Sequence, residues 1–352
     1  MQFPMFLTVL LCWGLMVCDL RTTVPLPVAV VLARQTSSVP PPVSLPNSQA
    51  APPDKALNLQ LPLESKSVRF AVIGDSGTGK REQLEVAQKM EEYRRAVGFD
   101  FVIMLGDNIY GGHSPQDFAR KFEVPYKPLL DAGVKFYASL GNHDSSDERF
   151  YKPFNMGGER YYSFKKNDVT FFVLDSNYMD PTQLGWVEKE LRNSNSKWKI
   201  CYFHHPLYSD GKFHGPDLDL RTRLTPLFQK YGVNVVLSGH DHVYERIKPQ
   251  NGIYYFVLGS SGQLRFHNLR ASRDTQTGFD TDQEFMIVEI TADKFYFQTI
   301  SRTGKTVDSD VLQRQSGMEN SSRLHETSVR HRKSLTRIAH DDLLTDSWPS
   351  WQ

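Results

Sequence analysis

Short runs of β-branched and aromatic residues recur along this chain, and five of them close on Asp, Asn or His. VRFAVIGD ends at Asp75, FDFVIMLGD at Asp107, VKFYASLGNHD at Asp144, and KWKICYFHHP and VNVVLSGHDH carry paired histidines. Between them lie amphipathic stretches such as REQLEVAQKMEEYRRAVG, TQLGWVEKELRNS and LRTRLTPLFQKYG. A fourth, PQDFARKFEVPYKPLLDAG, reads as a helical region broken at its prolines. Strands interleaved with covering helices predict an α/β fold. The later half is richer in antiparallel pairs. YYSFKKNDVTFFVLDS turns at Lys166 to Asp168, ERIKPQNGIYYFVLG carries the Asn251-Gly252 hairpin signal, and EFMIVEITADKFYFQTIS is another hairpin.

The first of these joints supports two readings. From Gly74, GDSGTGK fits the phosphate-cradling pattern G-x-x-x-x-G-K, which needs a Ser or Thr next to place a hydroxyl on Mg²⁺. Arg81 occupies that position, which disfavours a P-loop NTPase. The alternative makes Asp75 a metal ligand at the end of a strand.

In an α/β sheet, loops at the carboxyl ends of strands gather at one edge. Asp75, Asp107 with Tyr110, Asn142 with His143 and Asp144, His204 with His205, and His240 with His242 would then meet in space. Oxygen donors combined with imidazoles suit Fe, Mn or Zn. So many ligands exceed one metal's needs but suit two bridged by a carboxylate roughly 3.5–4 Å apart, an arrangement used for phosphoryl displacement.

These five blocks resemble the metallophosphoesterase (calcineurin-like) superfamily and, within it, the purple acid phosphatases of the small, tartrate-resistant type. Two residues carry the finer resemblance: Ser76 and Gly77 follow Asp75 where the wider superfamily reads Asp-x-His, and Tyr110 stands three residues after Asp107. The resemblance implies a four-layer α/β/β/α sandwich of two mixed β-sheets flanked by helices. It implies Fe(III) held by Asp75, Asp107, Tyr110 and His242, and a divalent Fe, Zn or Mn held by Asp107, Asn142, His204 and His240, with Asp107 bridging. On this reading Gly77 frees space beside Asp75 where relatives place a histidine.

His143, oriented by Asp144, matches the family's histidine placed to protonate the leaving alcohol, and His214 of KFHGP matches one in small mammalian-type members. The implied activity is acid hydrolysis of phosphate monoesters, on small molecules or phosphoproteins, with metal-bound hydroxide as nucleophile. Phosphodiester or nucleotide hydrolysis is the alternative within the superfamily. A binding protein without catalysis is disfavoured by the complete ligand set. His205 reads as structural, Cys201 as a small buried hydrophobe, Lys80 and Arg81 as surface charges, and His267, His325, His331 and His340 as solvated.

The 352 residues carry a formal net charge of +1, which gives no electrostatic case for a nucleic-acid partner. Residues 1–33 contain an apolar run of signal-peptide length, so a secreted, periplasmic or other extracytoplasmic location is expected. Leu15 to Cys18 only loosely resembles a lipoprotein signal, and an N-terminal membrane or lipid attachment stays open, as does the oligomeric state. Cys12 and Cys18 fall in this segment, which leaves Cys201 without a disulfide partner. Residues 34–66, rich in Pro, Ser and Ala, read as a linker; 67–312 is the predicted domain, and 313–352 a polar, disordered tail containing the Asn320 sequon.

Overall fold

The computed structural model describes residues 57–314. The expected leader, Cys12, Cys18, most of the linker, Asn320 and nearly all of the tail, with His325, His331 and His340, lie outside the described residues.

Two mixed sheets form. In the first, β1 (Val68–Ile73), β2 (Phe101–Met104) and β3 (Lys135–Ala138) run parallel, while β11 (Glu284–Ile290), β12 (Lys294–Ser301) and β13 (Thr306–Gln313) pair antiparallel, in the order β13-β12-β11-β1-β2-β3. The second sheet takes β4 (Tyr162–Lys166), β5 (Val169–Val173), β6 (Trp198–Tyr202), β7 (Val235–Ser238), β8 (Tyr244–Gln250), β9 (Ile253–Leu258) and β10 (Thr275–Phe279), in the order β10-β8-β9-β7-β6-β5-β4. Strands β5, β6, β7 and β9 run parallel, and the outer pairings are antiparallel. The hairpin expected at Asn251-Gly252 joins β8 to β9, both residues at positive φ (51° and 81°), as a tight hairpin turn requires.

Period-two alternation sorts the strand residues into layers. Phe70 and Val72 of β1 face inward to meet Phe101, Phe171, Trp198 and Phe256 in a core between the sheets. Ala71 and Ile73 face the other way, onto Val86 and Met90 of α1 (Arg81–Val97). On the outer side of the second sheet, Phe172 and Cys201 pack against Val187 and Leu191 of α4 (Pro181–Asn193) and Leu224 and Phe228 of α5 (Leu218–Tyr231). Helix, sheet, sheet and helix are thus stacked around three buried clusters, and the four-layer expectation holds. Cys201 is free and buried, as expected. The proline-rich helical region splits into α2 (Pro115–Phe118) and α3 (Lys127–Asp131), separated by a widened π-turn at Ala119–Glu123 and by Pro125. Among the described residues no helix is long and apolar enough to cross a membrane.

The folded unit reaches further upstream than Ser67. Leu61 is buried, and Leu57 and Leu59 pack against the same cluster as Met90 and Phe285. The N–H groups of Leu63 and Glu64 donate to the Glu289 carboxylate of β11 at 2.7 and 2.6 Å, and that of Gln60 donates to Gln298 Oε1 of β12 at 2.9 Å. The signal was present: LNLQLPL places leucines at every second position, but the adjoining Pro- and Ala-rich composition masked it. Replacing Leu61 by Ala is expected to lower unfolding free energy by about 2–3 kcal/mol in urea titration. An unchanged midpoint would return residues 57–66 to the status of a linker.

Candidate metal centre

Parallel strands from both sheets deliver the polar residues to one place. Asp75 follows β1, Asp107 follows β2, Asn142 follows β3, His204 follows β6, and His240 and His242 follow β7. Three of these turn through an unfavourable backbone: Asp75, Asp107 and His240 have φ of 53°, 51° and 69°. Non-glycine residues held there cost on the order of 1–3 kcal/mol each. Hydrogen bonds between the loops hold the conformation, from Asp75 N–H to the Gly106 carbonyl (3.1 Å), from Gly77 N–H to the Asp107 carbonyl (3.4 Å) and from Tyr110 N–H to the Gly77 carbonyl (3.0 Å).

These close approaches correct the role expected for Gly77. A Cβ there would stand 1.8 Å from the Asn108 carbonyl oxygen, so the glycine makes room for the neighbouring loop and leaves no vacant ligand position. Gly141 and Gly239 act similarly, since a Cβ on either would come within 2.4 Å of the Asp107 or Asp75 carboxylate. Most N–H groups of the GDSGTGK turn are also engaged within the protein. Thr78 N–H donates to the Ser76 carbonyl, Gly79 N–H to Gln83 Oε1 and Lys80 N–H to Thr78 Oγ1. Lys80 is exposed, and Arg81 pairs with Glu85.

Two adjoining groups of donors result. In one, the Tyr110 hydroxyl lies 3.1 Å from both Asp75 Oδ1 and His242 Nε2, and these two are 3.4 Å apart. Asp75, Asp107 and His242 are close enough to share an ion. In the other, His204 Nε2 is 3.0 Å from Asn142 Oδ1, 3.1 Å from His240 Nδ1 and 3.4 Å from Asp107 Oδ1. Asp107 belongs to both groups.

The tautomer of His204 shows what this second group lacks. Its Nδ1 lies 2.9 Å from the Leu105 carbonyl, which can only accept, so Nδ1 carries the proton and Nε2 offers a lone pair. That lone pair points toward the oxygens of Asn142 and Asp107, an arrangement that suits a cation between them.

The electrostatics agree. Burial, then the neighbouring Asp107, pushes the Asp75 carboxyl well above the usual range. Burial also depresses His204 and His240 and takes His242 down to about 4. A carboxyl whose pKa is higher in the fold than in the unfolded chain destabilises the fold as pH rises from the unfolded value to the folded one, and remains unfavourable above it. A bound cation favours ionised carboxylate and unprotonated imidazole together, which relieves both strains.

Other expected residues fare differently. Asp144 does not orient His143; its Oδ1 accepts the N–H groups of Asn108 (2.7 Å) and Ile109 (3.1 Å), and its Oδ2 those of Gly141 (2.8 Å) and the Asn108 side chain (2.8 Å). It therefore clamps the Asp107 loop to the Asn142 loop. His143 is exposed over the site, its ring 4.9 Å from that of Tyr110, and its N–H donates to Asp107 Oδ1 at 2.9 Å. His214, also exposed, stacks 4.0 Å from the His240 ring. His205 comes within metal-sharing range of His204 and His240, although its Nδ1 also lies 2.9 Å from Ser176 Oγ. His267 is exposed.

Asn108 and Asp241 were given no role by the sequence reading. Asn108 ties the Asp107 loop to the Ser139 carbonyl, and Asp241 accepts Ser209 Oγ and the Gly215 N–H, anchoring the loop that carries His214. Their only sequence signal was adjacency to the ligand candidates in GDN and GHDH.

Residues 68–244 match the calcineurin-like phosphoesterase family. Tartrate-resistant acid phosphatase type 5 of Rattus norvegicus is 26% identical over 301 residues, 71% of this chain and 91% of the relative. Purple acid phosphatase 4 of Arabidopsis thaliana is 30% identical over 294 residues, 69% and 86% of the two chains. The structure of a purple acid phosphatase from yellow lupin (Lupinus luteus) seeds superposes with a TM-score of 0.60 at 20% identity, covering 72% of this chain and 55% of the lupin chain.

Asp144→Ala would leave the N–H groups of Asn108, Ile109 and Gly141 without their acceptor. The metal-free protein is expected to lose about 2–4 kcal/mol of stability by urea or thermal denaturation. A proton-donor role for Asp144 predicts the opposite pattern, unchanged stability with an altered pH profile of activity.

Proposed function

The chain belongs to the calcineurin-like phosphoesterase family, and from that membership we propose that it is an acid phosphatase cleaving phosphate monoesters at a dinuclear Fe(III)–divalent centre. The observation that carries the finer reading is the Tyr110 hydroxyl, 3.1 Å from both Asp75 and His242. A phenolate beside two carboxylates and an imidazole is a donor set for a trivalent ion, and Fe(III) is the expected occupant. Asp75, Asp107, Tyr110 and His242 would hold it. Asp107, Asn142, His204 and His240 would hold a divalent Fe, Zn or Mn.

When bound, such a pair supplies Lewis acidity toward the phosphoryl group and a hydroxide nucleophile at low pH. The chain's own contribution is to position and to protonate. Leu105 fixes the His204 tautomer, Asp144 and Asn108 hold Asp107 and Asn142 in register, and Asp241 steadies the His214 loop. His143 lies exposed beside Tyr110, where its imidazolium could protonate a leaving alkoxide. His214, stacked on His240, is the second candidate for that proton or for a contact to the ester. An extracytoplasmic setting belongs to the same reading and rests on the apolar first residues of the sequence.

The purified protein is expected to contain iron and a second metal, to absorb visible light through the phenolate–iron pair, and to cleave a phosphate monoester fastest in acid. Tyr110→Phe is expected to bleach that absorption while the far-ultraviolet circular dichroism is retained. Colourless, iron-free wild-type protein, inactive on mono- and diesters alike, would sink the reading. Faster turnover of a diester would favour the phosphodiesterase alternative.

A further inference from the structure

Arg265 contacts none of the residues that the sequence pointed to by side chain, yet its backbone is bonded to one of them. Its backbone N–H donates to the His242 carbonyl at 2.9 Å. Its guanidinium carbon lies 3.4 Å from the centroid of the Phe213 ring, and Phe213 in turn packs 4.5 Å from His214. The His214 ring lies 4.0 Å from His240 and 6.5 Å from His242. The cation is thus held against an aromatic face, and Phe213 and His214 connect it to the His240 ring.

This positive charge is uncompensated. Among the described residues Arg265 forms no ion pair, and its Nε is buried without a hydrogen-bond partner. Asp241 accepts Ser209 Oγ and the Gly215 N–H through Oδ2, and it forms no ion pair with Arg265. Other arginines are ion-paired, Arg160 with Asp175, Arg246 with Asp308 and Arg302 with Asp282, whereas Arg265, like Arg149 and Arg221, meets an aromatic ring instead. The Arg265 charge pushes the imidazoles of His242 and His214 down, after the larger effect of burial. Nε is buried, but the two terminal nitrogens of this planar, permanently charged fork have no hydrogen-bond partner among the described residues and match the oxygens of a phosphoryl group.

We infer that Arg265 is a substrate-binding residue of this site, its guanidinium taking a nonbridging oxygen of the phosphoryl group and favouring monoesters over diesters. The inference rests on the phosphatase reading of the site and sharpens its substrate class. A monoester presents one more nonbridging oxygen than a diester and up to one more negative charge, so the arginine's contact is worth more to the monoester. Phe213 is a positioning residue, acting on substrate through the stacked guanidinium.

The test compares metal-loaded wild type with Arg265→Ala, Arg265→Lys and Phe213→Ala. p-Nitrophenyl phosphate and its bis-ester serve as substrates, and inorganic phosphate is titrated by calorimetry as a readout independent of turnover. For Arg265→Ala, KM for the monoester and Kd for inorganic phosphate are expected to rise about tenfold or more, with diester kcat/KM falling less than about threefold. Arg265→Lys should recover part of the loss. Phe213→Ala should raise KM on its own and add little to Arg265→Ala. Metal content and thermal midpoint should stay at wild-type values. Equal losses on both esters, or phosphate affinity indifferent to Arg265, overturn the inference. Wild-type protein that loads metal and binds phosphate but cleaves neither ester overturns the phosphatase reading instead.

Discussion

Two carboxylates buried side by side govern this architecture. Asp75 and Asp107 are 0% and 1% exposed, stand at the ends of adjacent parallel strands, and repel each other in a medium that solvates neither. Histidines packed around them are held neutral by the same burial, so the protein alone offers the carboxylates little positive charge. Such a cluster is unfavourable to folding unless something cationic occupies it. The unfavourable φ angles at Asp75, Asp107 and His240 point the same way, because the surrounding loops force these residues into place at a cost in stability.

Small residues make that crowding feasible. Gly141, Gly239 and Gly77 lie where a Cβ would strike a carboxylate or the backbone of an adjoining loop. The site is accordingly a packing of backbone turns against one another, with side chains projecting into the remaining space. Asp144 and Asn108 supply the polar cross-links between those turns.

Strand periodicity and the residues at strand ends made much of this legible in the sequence. The pattern that sends Phe70 one way and Ala71 the other foretells two apolar faces, and Asp75, Asp107, Asn142, His204, His240 and His242 all lie at the joints where an α/β fold collects them. Relationships between loops were not legible. Asp144 precedes no visible partner in the chain, and only folding brings the N–H groups of Asn108, Ile109 and Gly141 to its two oxygens. Gly77 looked like a gap because a missing side chain in a sequence suggests vacant space, whereas the Asn108 carbonyl fills it. Arg265 lies more than twenty residues after the last motif, and nothing local marks it.

Each donor group draws on both sheets, oxygen ligands from one and imidazoles from the other. Asp75, Asp107 and Asn142 follow strands of one sheet, and His204, His240 and His242 follow strands of the other. Between the sheets lies the aromatic cluster of Phe70, Phe101 and Phe171, with ring centroids 5.1–5.5 Å apart. These rings act as a spacer that sets the gauge of the whole site from well inside the fold. Trimming or enlarging one of them would retune the separation of oxygen and nitrogen donors without changing any donor, so the preferred size of an occupying ion is written partly in the hydrophobic interior.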